Sequence, residues 1–152
     1  MTRYRERLSP SPWVFFATAL VLPASIIVFA PIWDGTGWPV GVGVGIVLYA
    51  GALLVLILTS PVIEVTGDTL RVGRASIPLE LIGECEAFTG ADATAQRGRL
   101  MDVRAWLCIR GWVDPVVKMR IADPLDPTPY WLVSTRRPGD LIDAVSLRGS
   151  SS

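Results

Sequence analysis

The chain has 152 residues, 51% of them hydrophobic and 18% charged, with a mean hydropathy of +0.45. An ordinary soluble domain carries about a quarter charged residues. The 14 Lys+Arg balance the 14 Asp+Glu, so there is no basic excess to hold nucleic acid and no acidic excess of the disordered kind. Histidine is absent, which excludes an imidazole base and a His metal ligand.

Residues 1–11 carry Arg3, Arg5 and Arg7 and read as a cytoplasmic N-terminal segment. Leu8–Trp33 then runs 26 residues without a charge, Asp34 interrupts, and Gly35–Ile63 runs 29 more. A membrane-spanning helix needs roughly 20 mostly apolar residues. Two helices are predicted, at about Pro12–Pro31 and about Trp38–Thr59, and residues 12–60 form a transmembrane hairpin. Trp13, Trp33 and Trp38 stand at span ends, where indole favours the interface. The turn between the spans has no Lys or Arg, whereas the N-terminal segment carries three Arg and the domain that begins after span two has 11 basic side chains. The positive-inside rule therefore puts both termini in the cytoplasm. The competing reading is a signal peptide cut after Val28-Phe29-Ala30. Its apolar run is longer than usual, Pro31 would follow the cut, and a second span comes at once.

Pro23 is predicted to kink the first helix, because it lacks one backbone donor. Gly41 and Gly45 form a G-x-x-x-G pair, whose small faces let a second backbone approach closely. That second backbone is either the protein's own first helix or a partner helix. Neither span carries a charge, so no ion path or proton relay is indicated.

Residues 61–148 read as a small β domain with a closing helix, and 149–152 as a disordered tail. Val62–Thr66, the Gly67-Asp68 turn and Thr69–Gly73 make a hairpin. Ala75–Leu79 is a short extended piece, with Pro78 at an edge or strand end. Ile82–Phe88 alternates, and Ala91–Leu100 is a short helix or a loop. Trp106–Ile109 is a strand, and Val116–Ile121 turns Val117, Met119 and Ile121 to one face. The run 123–129, Asp-Pro-Leu-Asp-Pro-Thr-Pro, is a rigid turn. Tyr130–Thr135 is a strand whose alternation sends Tyr130 and Trp131 to opposite faces. Pro138 opens a final helix carrying Leu141, Ile142 and Val145, with Thr135 or a neighbour as its cap. The fold class is α+β: a two-helix membrane hairpin, then a small antiparallel β domain closed by a C-terminal helix, an order that matches a pleckstrin-homology-like barrel by analogy.

Three stretches carry a resemblance: Tyr4–Leu8, Leu70–Leu79 and Asp123–Pro138. They resemble an actinobacterial membrane-protein family, domain of unknown function 3093, over nearly the whole chain. The resemblance implies two N-terminal membrane helices and a cytoplasmic domain, and no activity. Gly73–Pro78 with Ser134–Pro138 is also similar to bacterial pleckstrin-homology-type domains.

Arg71, Arg74, Arg136 and Arg137 are the candidate contacts for lipid headgroups, another anion or a partner, since the guanidinium fork fits such oxygens; the alternative is solvated arginines paired with Glu80 or Asp140. Asp102, Asp114, Asp123 and Asp126 invite a carboxylate-pair enzyme, but three of them precede Pro, a turn signal. Ser134 and Thr135 have no adjacent base. Cys85 and Cys108, with no His, make no zinc site, and both read as reduced, partly buried thiols. We therefore expect no catalytic residues, metal or cofactor. The expected protein is a membrane-anchored accessory module whose partners are the bilayer and a membrane protein, or a second copy of itself. The alternative is a small membrane enzyme or transporter component using the Asp/Arg cluster.

Overall fold

The computed structural model describes residues 2–32 and 36–147. Trp33, within the turn between the spans, and the 149–152 tail lie outside the described residues. The chain divides into two compact units, Ser9–Ser60 and a second made of Met1–Leu8 with Pro61–Ser152.

The first unit is helical, with α1 at Pro12–Ala19, α2 at Val21–Phe29 and α3 at Trp38–Leu58. Pro12 occupies the first turn of α1, where a missing N–H costs nothing. The interruption between α1 and α2 falls at Leu20, whose N–H turns to Ala17 O at 3.3 Å. Pro23 is its cause: it cannot donate to Ala19, and its ring crowds that carbonyl. Residues 12–29 and 38–58 are long and apolar enough to cross a membrane, with mean hydropathy 2.1 and 2.5. Thr18 and Ser25 donate their hydroxyls to Val14 O and Val21 O, each at 2.7 Å, so neither presents a bare polar group.

Gly41 and Gly45 are the buried residues of α3, and what they meet is α2. A Cβ on Gly41 would stand 2.9 Å from Ile26 Cα and 2.9 Å from Ser25 O. One on Gly45 would stand 3.3 Å from Leu22 Cα, whereas one on Gly43 would meet nothing. Of the two expected uses of this glycine pair, the structure builds packing between the protein's own helices.

The second unit contains two four-stranded sheets. The first runs β1 (Thr2–Arg7), β2 (Val62–Thr66), β3 (Thr69–Val72), β4 (Ala75–Pro78), all antiparallel. The 1–11 segment, read from sequence as a separate stretch, is thus divided: its first residues are an edge strand of the β unit. Tyr4, Glu6 and Leu8 alternate inward, and Arg3, Arg5 and Arg7 stay exposed. Gly67 (φ 55°) and Gly73 (φ 60°) take the left-handed conformations that the two tight turns of this sheet need.

The second sheet has the order β5-β7-β8-β6, built from β5 (Ile82–Phe88), β6 (Trp106–Cys108), β7 (Val116–Ile121) and β8 (Tyr130–Ser134). It departs from the all-antiparallel expectation at one place, where β6 runs parallel to β8. The connection from β6 to β7 is too long for a hairpin register, and β7 takes the antiparallel place on the other side of β8. All five residues of β8 are buried. One face joins the main core, where Val117, Met119, Trp131 and Val133 meet Ile63, Val65, Leu70 and Val72 of the first sheet. The other face, with Tyr130 and Leu132, is covered by Ala93 of α4 (Gly90–Arg97). Tyr130 and Trp131 therefore point to opposite faces, and the 91–100 stretch is mainly helix. The last helix, α5 (Pro138–Ser146), adds Leu141, Ala144 and Val145 to the core.

Candidate functional site

Glu6 sits on the inward face of β1 at 7% exposure. A buried carboxylate is costly unless hydrogen-bonded on most sides, and here it is. Its Oε2 accepts from Tyr4 Oη and from Thr135 Oγ1, each at 2.5 Å. Its Oε1 accepts the Arg136 backbone N–H at 3.0 Å and lies 4.0 Å from the Arg136 guanidinium. Thr135 Oγ1 also accepts the Arg137 N–H at 3.1 Å. Thr135 or a neighbour was expected to cap α5; the cap position falls to the neighbour, Arg137, and the threonine hydroxyl is spent on the turn and on Glu6. Burial pushes the Tyr4 phenol up to about 12; the hydrogen bond to Glu6 adds to this, and the one to Thr135 opposes it. Arg137 lies 5.0 Å over the Tyr4 ring, donates to Arg5 O at 3.0 Å and pairs with Asp140 at 3.7 Å. This cluster clamps the N-terminal strand to the turn before α5. Sequence reasoning missed it, though the strict alternation of Tyr4, Glu6 and Leu8 with three arginines was a strand signal.

The four candidate arginines separate into two pairs. Arg136 and Arg137 belong to the clamp. Arg71 and Arg74 line an open concavity of about 380 Å³ on the outer face of the first sheet, together with Glu64, Thr66, Thr69 and Ser76. Strand register explains the grouping: Arg5, Glu64, Arg71 and Ser76 stand side by side across β1 to β4. Arg7 lies further along the same face, opposite Val62. Among the described residues Arg71 and Arg74 make no ion pair; of the pairings that the alternative reading offered, the one with Asp140 is made, by Arg137. Arg7 and Arg74 stand at the end where the Gly73 N–H meets Val62 O, while Asp68 and Glu80 line a second hollow at the opposite end.

The four aspartates do not converge. Asp102 holds Arg104 at 3.2 Å, and that guanidinium keeps its carboxyl below the usual range. Asp114 accepts from the Gly90 N–H at 2.7 Å and pairs with Arg97 at 3.3 Å. Asp123 and Asp126 each accept a backbone N–H two residues on, from Leu125 and Thr128, which is how short acidic side chains close turns. Ser134 Oγ accepts the Arg110 N–H at 3.1 Å. Cys85 and Cys108 are not joined in a disulfide, and burial pushes the Cys108 thiol up. Among the described residues no three His, Cys, Asp or Glu side chains gather as metal ligands.

A family model described as a protein of unknown function, DUF3093, matches residues 3–145. The chain belongs to this family. The DUF3093 match starts inside β1 and ends in α5, so the family unit takes in the clamp, both apolar helices and both sheets. Comparison with curated proteins gives no match, and comparison with solved structures gives none.

Proposed function

We propose that this protein is a non-catalytic, membrane-anchored module, its hairpin in the bilayer and its β unit held at the cytoplasmic surface as a binding or accessory element. One observation carries the reading: β1 precedes the first apolar helix, β2 follows the second, and the two are hydrogen-bonded neighbours. Leu8 N donates to Pro61 O at 3.0 Å, so the chain leaves and re-enters the sheet at one point. Two crossings of a bilayer return the chain to its starting side, as such a sheet requires.

The surface of the helical unit supports the same reading. Trp13, Phe16, Ile27, Val47 and Leu58 are each at least 70% exposed, a density of bare apolar side chains that water does not tolerate on a folded monomer. The clamp argues for a retained first helix over a cleaved leader. Cutting after Ala30 would remove Tyr4, Glu6 and Leu8 from the core and strand Thr135 without its acceptor. The positive-inside rule favours the cytoplasmic side for Arg3, Arg5 and Arg7. Within the β unit, two four-stranded sheets closed by α5 support a pleckstrin-homology-like arrangement, with the parallel β6–β8 pair as a departure from it. The dispersal of the aspartates into separate turns favours binding over catalysis.

Carbonate washing of membranes with protease treatment of intact cells tests the proposal. The chain is expected to stay in the membrane pellet, with its β unit protected until the cells are opened. Release by carbonate, or digestion of residues 61–147 from outside, overturns it.

A further inference from the structure

We propose that the outer face of the first sheet, around Arg71 and Arg74, binds the phosphate of an anionic phospholipid headgroup in the membrane that anchors the chain. The inference rests on the membrane reading above and assigns a ligand to the β unit. Three observations carry it.

The first is chemical. Arg71 and Arg74 line the 380 Å³ concavity with the hydroxyls of Thr66, Thr69 and Ser76. Guanidinium groups and hydroxyls are the donor set that fits phosphate oxygens. Glu64 is the one acid lining it, and Arg5 and Arg71 flank that residue across the strands.

The second is the supply of unspent charge. Arg97, Arg104, Arg136 and Arg137 are each within 4.0 Å of a carboxylate. Arg71 and Arg74 have no such partner among the described residues, although 12 acids lie between Glu64 and Ser152. They are available to an external anion.

The third is position along the chain. The Arg74 turn is tied to Val62 through the Gly73 N–H at 2.8 Å, and Arg7 is paired with the same Val62. Helix α3 ends at Leu58. Four residue steps separate that end from Val62, a tether of at most about 14 Å. The polar zone on each side of a bilayer is roughly 5–8 Å deep, so the tether keeps the basic end of the sheet within reach of headgroups. An anionic leaflet attracts basic groups held this close to it along the chain.

Each arginine near an anionic surface strengthens binding by about fivefold. Hydrogen exchange of the full chain in nanodiscs tests the site, comparing discs of phosphatidylcholine alone, the same discs with inorganic phosphate added, and discs that also contain phosphatidylglycerol. Exchange across residues 66–76 is expected to slow about fivefold or more in the phosphatidylglycerol discs. R71Q/R74Q is expected to abolish the slowing, and R120Q, on the second sheet, to keep it. Slowing by inorganic phosphate to the same extent keeps the phosphate chemistry and overturns the lipid as its source. Equal exchange in all three preparations, with residues 12–29 and 38–58 still protected, overturns the site and leaves the membrane reading intact. Free exchange of both spans in discs overturns the membrane reading and the site together.

Discussion

The two units of this chain are packed inside out with respect to each other. In the β unit, Ile63, Val65, Leu70, Val72 and Leu132 are fully buried and the arginines face outward. In the helices of the other unit the buried positions are Gly41, Gly45 and Ser25, while leucines, isoleucines and tryptophans are bare. The β unit buries apolar area, the dominant favourable contribution to folding in water. The helices instead bury small residues, which lets two backbones approach closely, and that is how helices associate where the surroundings are already apolar. On the membrane reading one sequence carries two solvation rules, and the boundaries between the two units fall at Leu8–Ser9 and Ser60–Pro61.

The sharpest way to break this comparison is to make one substitution in both units. Leu132→Ala, at a fully buried site on the central strand, is expected to cost the β unit about 2–5 kcal/mol, read as a lower denaturant midpoint. Leu54→Ala, at a site 58% exposed on α3, is expected to leave that midpoint unchanged. Equal losses would mean that α3 is a core helix. Glu6→Ala comes next. It leaves the Tyr4 hydroxyl, the Thr135 hydroxyl and the Arg136 N–H without their acceptor, at a cost of about 2–3 kcal/mol, and it is expected to release Thr2–Arg7 to rapid hydrogen exchange.

An alkaline titration sharpens the same point. The Tyr4 phenol is raised to about 12 in the fold against about 10 in an unfolded chain. Its contribution is fully present below pH 10 and is lost as pH rises toward 12, about 2–3 kcal/mol in all. Wild type is expected to lose stability through that window relative to Tyr4→Phe. Parallel curves would remove Tyr4 from the buried clamp. In the helical unit, Gly41→Val collides with Ile26 and Ser25 and is expected to cost about 1–3 kcal/mol of hairpin stability, seen in a circular-dichroism melt in detergent. Gly43→Val, in open space, is the control. The smallest effect is kinetic. Cys108, buried with its thiol pushed up, is expected to react with maleimide only after denaturation, because the thiolate is the reactive form.

Local periodicity made much of the fold legible. The two apolar runs, the Gly67-Asp68 turn, the alternation of Val117, Met119 and Ile121, and the Pro138 helix start each declare themselves within a few residues. What escaped is non-local. Trp106-Leu107-Cys108 reads as a strand, but nothing near it says that β8 will be its parallel neighbour. Glu6 and Thr135 are 129 positions apart, and no spacing rule links them. Thr2–Arg7 escaped for another reason: its arginines satisfied the flank of a membrane span so well that the alternation beneath them went unread. The candidate arginines were individually visible, whereas their division into a clamp pair and an outward pair depended on strand register.

The pairing of β1 with β2 has a consequence for biogenesis. Thr2–Arg7 leaves the ribosome before its neighbour β2, which is made only after some fifty further residues that include the apolar helices. On the membrane reading, the sheet closes only when an even number of crossings has returned the nascent chain to its starting side. A chain whose second helix fails to insert leaves β1 and β2 on opposite sides of the bilayer. Glu6 and Thr135 then cannot meet, and quality-control proteases encounter an open sheet edge. On that reading the N-terminal strand would act as a parity check on insertion.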